Sequence, residues 1–224
     1  MLFRSVSQSR YPLKRKIKGT FDWITLFVVP ISKISDIDFV KYDYIAQNNV
    51  EYEYAIVPVI GNTEGEYSIN SIKSQFYGIF ITDNQKSYKF LENAGYSNNE
   101  RVHKSGIFEP YGSKYPIVVN NGILSYDKGT VKGDVMVLVN DNLDRDSTVT
   151  KLKALQTFLT DSSGKVLKDF NGNIWMVSTL NSVTPTYYNE LGMGMASVSF
   201  DWVEVGNSND GSDLYYNGLI DAIN

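Results

Sequence analysis

Alternation of apolar and polar positions dominates the chain, and it is clearest between residues 164 and 206. Residues 165–170 (KVLKDF) predict a short strand. Asn171-Gly172 follows, a dipeptide that accepts positive φ at both central positions of a tight hairpin turn. Residues 173–180 predict the partner strand, with Ile174, Met176 and Ser178 on one face and Trp175, Val177 and Thr179 on the other. After a Pro-containing loop over 182–194, residues 195–204 alternate again. Ala196, Val198, Phe200, Trp202 and Glu204 share a face, and Ser197, Ser199, Asp201 and Val203 share the other. One buried face and one wet face is the habit of antiparallel sheet.

The same period recurs upstream. Residues 21–29 predict a strand stopped by Pro30. Residues 50–60 (VEYEYAIVPVI) predict another, ending or lying on an edge at Pro58, which cannot donate to a ladder. Residues 75–82 and 87–91 predict two more across the Asp83-Asn84 turn, and 92–105 read as a polar loop. The turn cluster at 109–112 places a boundary near residue 110. Beyond it, 115–119 and 123–126 predict a compact hairpin about Asn121-Gly122, and 130–139 a further strand.

One segment changes period. Over 147–160 the apolar positions Val149, Leu152, Leu155, Phe158 and Leu159 recur at helical spacing. Asp146 or Ser147 can cap its start, and Gly164 lies just past its end. Residues 207–213 read as a linker and 214–223 as a short terminal helix that docks elsewhere. The expected fold class is therefore mainly β: two packed antiparallel β subdomains, 21–110 and 111–206, with one amphipathic helix at about 147–160 in the second. A basic arm (1–20) and an acidic tail (207–224) flank them.

Composition narrows the chemistry. A chain of 224 residues can bury a large core without disulfides or metals. With no Cys, disulfides, thiol catalysis and cysteine zinc sites are excluded. No apolar run approaches the roughly 20 residues of a membrane span, and the polar, basic N-terminal stretch lacks the apolar core of a signal peptide. These features predict a soluble protein assembled in a cytoplasm. Charge is unevenly placed. Arg4, Arg10, Lys14, Arg15, Lys16 and Lys18 crowd the first twenty residues, which carry no acid. After Lys168 there is no Lys or Arg, while Asp169, Glu190, Asp201, Glu204, Asp210, Asp213 and Asp221 accumulate.

No catalytic signature stands out. His103 is the only histidine, which excludes a multi-histidine metal site and argues against a Ser-His-Asp triad. The acidic run 141–146 fails the EF-hand pattern, because Val149 and Leu155 stand where Gly and Glu are required; it reads as a helix-capping loop. Glu51/Glu53 and Asp201/Glu204 are paired carboxylates of the kind a glycosidase uses, but neighbouring acids on strands are commonplace. Gly192 and Gly194 lack the strand-to-helix context of a nucleotide-binding loop. The basic stretch 10–18 is better suited to an acidic neighbour than to nucleic acid. No cofactor or metal is expected.

Several stretches carry a family resemblance: KYPIVVNNGILSYDKGTVKG (114–133), FLTD (158–161), KVLKDFNGNIWMV (165–177) and SFDWVEVG (199–206). Together they resemble a domain of structural tail proteins of tailed bacteriophages that infect Gram-positive bacteria. Residues 48–67 look like the edge of a fibronectin-type or similar β module often found before it. The resemblance implies a ring-forming virion protein of the distal tail, baseplate or tail-collar junction, without catalytic residues. Its implied partners are other copies of itself and neighbouring tail or baseplate proteins, in the virion and, during assembly, in the host cytoplasm. The alternative is a carbohydrate-binding module of a receptor-binding apparatus, using exposed tyrosines. In a ring, one surface meets a different surface of the neighbour, so the basic arm and acidic tail are natural contact candidates: Arg10, Lys14, Arg15, Lys16, Asp210 and Asp213.

Overall fold

A computed structural model of the chain describes residues 9–90, 92–188 and 195–222. In chain order its elements are β1 (Ser9–Ile17), β2 (Ile24–Ile31), a 3-10 turn (Ile34–Ile37), β3 (Glu51–Ile56), β4 (Val59–Ile60), β5 (Thr63–Glu64), β6 (Ser68–Lys73), β7 (Ile79–Thr82) and β8 (Ser87–Phe90). There follow β9 (Glu92–Phe108), β10 (Ile117–Val135), β11 (Leu138–Val139), β12 (Asn142–Leu143), α1 (Arg145–Thr160), β13 (Lys165–Asp169), β14 (Ile174–Tyr187), β15 (Ala196–Gly206) and α2 (Gly211–Tyr216). The protein is mainly β with antiparallel sheets.

Two compact units result: residues 1–88, 163–176 and 206–224, and residues 89–162 and 177–205. The expected sequential split near residue 110 is not the one formed. Its physical reason is a long-range ladder. β13 pairs with β7, Val166 opposite Thr82 through Asp169 opposite Ile79, and this draws residues 163–176 into the first unit.

In the first unit, β1 is a central strand. β2 pairs along its whole length, from Ser9 opposite Ile31 to Arg15 opposite Ile24. On its other edge β3 covers Leu13 to Ile17 and β4 covers Ser9 and Arg10. The break between those two partners is Pro58, where the ladder cannot continue. The sheet runs β5-β4-β1-β3-β6, with β2 also on β1. The basic arm expected over 1–20 is thus corrected: residues 9–17 are interior sheet, and residues 1–8, with Arg4, lie outside those described.

The acidic tail is corrected too. Leu214, Leu219 and Ile220 are buried in one cluster with Leu26, Ile45, Val166 and Met176. Asp210 caps α2, accepting from the Ser212 and Asp213 amides. The Asp221 amide donates to the Leu26 carbonyl, and the Asp221 carboxylate accepts from the Val28 amide at 3.0 Å. The turn between β13 and β14 also differs in detail. Only Gly172 adopts positive φ, +86°, so the hairpin is a three-residue loop rather than a two-residue one. Buried Asp169 holds it, accepting from the Asn171 and Asn173 amides.

In the second unit the order is β14-β15-β10-β9. Along β15, Ala196, Val198, Phe200 and Trp202 are buried as expected, and Ser197, expected on the wet face, is buried with them. Helix α1 starts two residues earlier than expected, because Asp144 is its cap and accepts from the Ser147 amide at 3.0 Å. Leu152, Leu155, Phe158 and Leu159 are buried as the stripe requires. In the first turn the buried residue is Thr148 instead of Val149. Its hydroxyl accepts from the Val137 amide at 2.8 Å and donates to the Asp144 carbonyl at 2.6 Å. The acidic run is split between two jobs: Asn140 and Asp141, both at positive φ, turn the β11–β12 hairpin, and Asp144 caps the helix.

Three segments read as loops or short strands are long strands. The "polar loop" 92–105 lies within β9, residues 117–126 of the hairpin expected at 115–126 are continuous β10, and β14 runs past Pro185 to Tyr187. Asn121-Gly122 lies inside β10, where the register to β9 shifts in a bulge: Asn120 faces Ser105 and Ser125 faces His103.

If residues 207–222 are docked core rather than linker, Leu214→Ala should lower the unfolding free energy by about 2–5 kcal/mol. Urea unfolding checks this; a loss below ~0.5 kcal/mol would return the segment to a linker.

Candidate interaction surfaces

Of the six residues expected to meet a neighbouring subunit, five find other roles within the chain, and Arg10 does not. Lys14 donates to Glu64 at 2.8 Å and to the Tyr67 hydroxyl at 3.1 Å. Arg15, only 2% exposed, pairs with Asp43 at 2.7 Å and lies 4.7 Å from the centre of the Tyr52 ring. Lys16 pairs with Glu53 at 2.7 Å and sits over Trp23, and Lys18 pairs with Glu51 at 2.6 Å. Lys14, Arg15, Lys16 and Lys18 are each paired with an acid of their own chain. Asp210 caps α2, and Asp213 accepts from the Asn207 amide at 2.7 Å. Only Arg10 stands exposed on β1.

The acids singled out as catalytic pairs are similarly engaged. Glu51 and Glu53 hold Lys18 and Lys16. Asp201 accepts from Thr130 at 2.6 Å, and Glu204 accepts from the Asp127 amide at 2.8 Å. His103 is exposed on β9. Gly192 and Gly194 lie outside the described residues. Among the described residues no group of three or more His, Asp or Glu is placed to hold a metal ion, and no helix is long and apolar enough to cross a membrane.

Arg15 belongs to a buried polar network. The Asp43 carboxylate also accepts from the Tyr54 hydroxyl at 2.8 Å and from the Ile45 amide at 3.0 Å. Burial pushes the Tyr54 phenol well up, and the Asp43 charge adds to it. Lys168 donates to the Ala46 carbonyl at 2.9 Å and lies over the Phe76 ring. Burial pushes its ammonium down to about 8, opposed by Asp43 and reinforced by Arg15.

The surface that sequence reasoning missed is in the second unit. β15 pairs with β10 only over residues 128–135. Beyond that, residues 101–108 of β9 pair with residues 117–127 of β10 as a two-stranded ribbon. Eight residues of strand make it about 25 Å long. Cross-strand partners share a face. Phe108 with Ile117, and Val119, lie on one face; Ile107 with Val118 lie on the other. All five are more than half exposed. Ile123, in the bulge, is 95% exposed, and Tyr111 and Tyr115 at the tip are also bare. The missed signal was a run from 92 to 109 with no proline, coupled to the apolar triplet 117–119. Compared with protein-family models and with curated proteins, the sequence matches none.

The Lys168 site sets a pH dependence. Its pKa in the fold is lower than in the unfolded chain, so between about pH 8 and 10.5 the unfolded chain binds more protons. Stability from this group therefore rises with pH across that window. Measured against Lys168→Met, which shares every other titrating group, the unfolding free energy should gain up to ~3 kcal/mol from pH 7 to 10.5. A difference that stays flat with pH would contradict it.

Proposed function

We propose that the protein is a virion structural protein, a self-assembling ring subunit of a bacteriophage tail, at the distal tail, baseplate or tail-collar junction. The observation that carries this reading is the β9–β10 ribbon. It exposes large apolar side chains on both faces and at its tip, and among the described residues no layer of its own unit covers them. Monomers rarely expose a contiguous apolar patch above roughly 300–600 Å². Eight side chains of this size, most of them more than half exposed, present on the order of 1,000 Å². That matches the roughly 800 Å² each partner contributes to a standard interface.

The occupant is a second copy of the chain. A ring joins one surface to a different surface on its neighbour, and β6 offers the other half of such a contact. Among the described residues it is an unpaired edge of the first unit's sheet, exposed along its length, with Ile69 and Ile72 more than half bare. An extended segment can add to such an edge through main-chain hydrogen bonds. The resemblance to phage tail proteins supports the class of particle, and one of its stretches, residues 114–133, coincides with most of β10. The role is scaffolding: the carboxylates that could have served catalysis are held by neighbouring groups. Contact through β1 and the tail gives way, in this reading, to contact through the ribbon.

Analytical ultracentrifugation and negative-stain imaging test it. The purified chain should form closed rings. Changing Ile107, Val118 and Ile123 together to Ser should leave monomers with an unfolding midpoint near that of the parent, because exposed substitutions cost within ~0.5 kcal/mol each. Antibody labelling of particles that carry the chain should mark the tail. A parent chain that stays monomeric at every concentration, or label confined to the capsid, would overturn the proposal.

A further inference from the structure

The second unit contains a cavity that assembly does not explain. It has a volume of about 450 Å³, within the range of small-molecule sites. It opens where β9, β10, β15 and β14 lie side by side, and a local irregularity lies in its wall. Glu100 faces Lys128 and Ser97 faces Thr130, so Asn98 and Asn99 together oppose the single residue Gly129. This is a β-bulge, a device that re-aims side chains. Asn98 takes positive φ, 54°. A Cβ on Gly129 would fall 1.9 Å from the Asn99 side-chain oxygen, so the glycine is what gives that amide its place.

Polar groups converge from the other strands. Asp201 is fixed through both oxygens: one accepts from the Thr130 hydroxyl at 2.6 Å, the other from the Asn181 side-chain amide at 3.2 Å. Asn181 also stands at positive φ, 58°, on β14. Each carboxylate oxygen keeps a further lone pair, and the amides of Asn98 and Asn99 present donors and acceptors together. Leu180 adds a partly exposed apolar patch, and Trp202 forms part of the floor.

The charge pattern selects the ligand. Lys128 is paired with Glu100 at 2.8 Å, so the cation offered to the cavity is already neutralised. Asp201 leaves the wall slightly negative, which disfavours phosphates and carboxylates. One apolar patch beside amide, hydroxyl and carboxylate groups matches a ring with several hydroxyls and a C–H face. We infer that this cavity binds a neutral pyranose unit of a glycan, through Asn98, Asn99, Asn181 and Asp201. The site is separate in its residues from the apolar tip of the ribbon, so it stands or falls independently of ring formation.

Saturation-transfer NMR on the full chain tests it, with glucose, galactose and N-acetylglucosamine as probes, each at about 10 mM, ten times the ~1 mM Kd of a weak site. At least one sugar should receive saturation from the protein. Asn98→Gly and Asn181→Gly remove an amide each, and glycine accepts the positive φ at both positions. Each should weaken binding of that sugar at least tenfold while the unfolding midpoint holds. The parallel variant Asp201→Asn should also weaken it. Saturation of none of the three sugars overturns the inference, and so does binding that persists unchanged in both glycine variants.

Discussion

The first unit depends on one buried ion pair, Arg15 with Asp43. β1 lies between β2 on one edge and β3 and β4 on the other, so its inward side chains cannot reach water. A guanidinium at 2% exposure is sustainable only if its charge and its donors are met. Asp43 meets them, and in doing so fixes the irregular segment 43–48. That segment has no ladder of its own, so its polar groups are answered by side chains from four strands. Thr82 donates to the Tyr44 carbonyl, Lys168 to the Ala46 carbonyl, and the Gln47 amide donates to the Tyr52 hydroxyl. The Asn48 side chain bridges the Phe170 carbonyl and the Phe76 amide. Losing one member of a buried pair typically costs about 3–5 kcal/mol, since the other charge is stranded. Here the loss would also release the segment that seats Ile45 in the core.

This arrangement changes where interaction energy is available. Lys14, Arg15, Lys16 and Lys18, which looked free for a neighbour, are met by acids of their own chain at 2.6–2.8 Å. What is left over is apolar and lies in the second unit. A two-stranded ribbon has no third layer, and such hairpins are marginal alone in water. The β9–β10 pair is anchored at its base by β15 and leaves its far half for another surface. Electrostatics therefore organises the interior of the first unit, and apolar surface organises the proposed assembly.

Much of this was legible in the residues, and the pattern of success is physical. β15 and α1 each have one face or stripe in the core, so local period reports burial directly, whereas β13 is buried on both faces. Asn171-Gly172 marked a hairpin because glycine is needed at positive φ, although one residue of the pair adopts it and not both. β9 was invisible for the opposite reason. In a ribbon exposed on both faces nothing selects alternation, and its Asn, Ser and Gly residues resemble a loop. β1 was misread because its charges are satisfied by residues far along the chain, Arg15 by Asp43 and Lys14 by Glu64, and composition carries no trace of such pairing. Leu214, Leu219 and Ile220 mark a docking segment by their apolar side chains, but its helix starts earlier, at Gly211, because Asp210 caps it from within the polar stretch. The bulge at Gly129 in the cavity wall is set by register, and register is not a local property.

Amide hydrogen exchange over residues 103–120 tests the central claim most directly. It is read on the dilute chain and again at a concentration where the chain assembles. The account predicts fast exchange at the ribbon's outer edge in the dilute chain and at least tenfold slower exchange on assembly, with matching protection over residues 68–73. Identical exchange of the ribbon in both states, with protection appearing elsewhere, would show that the subunits meet through another surface and would contradict it.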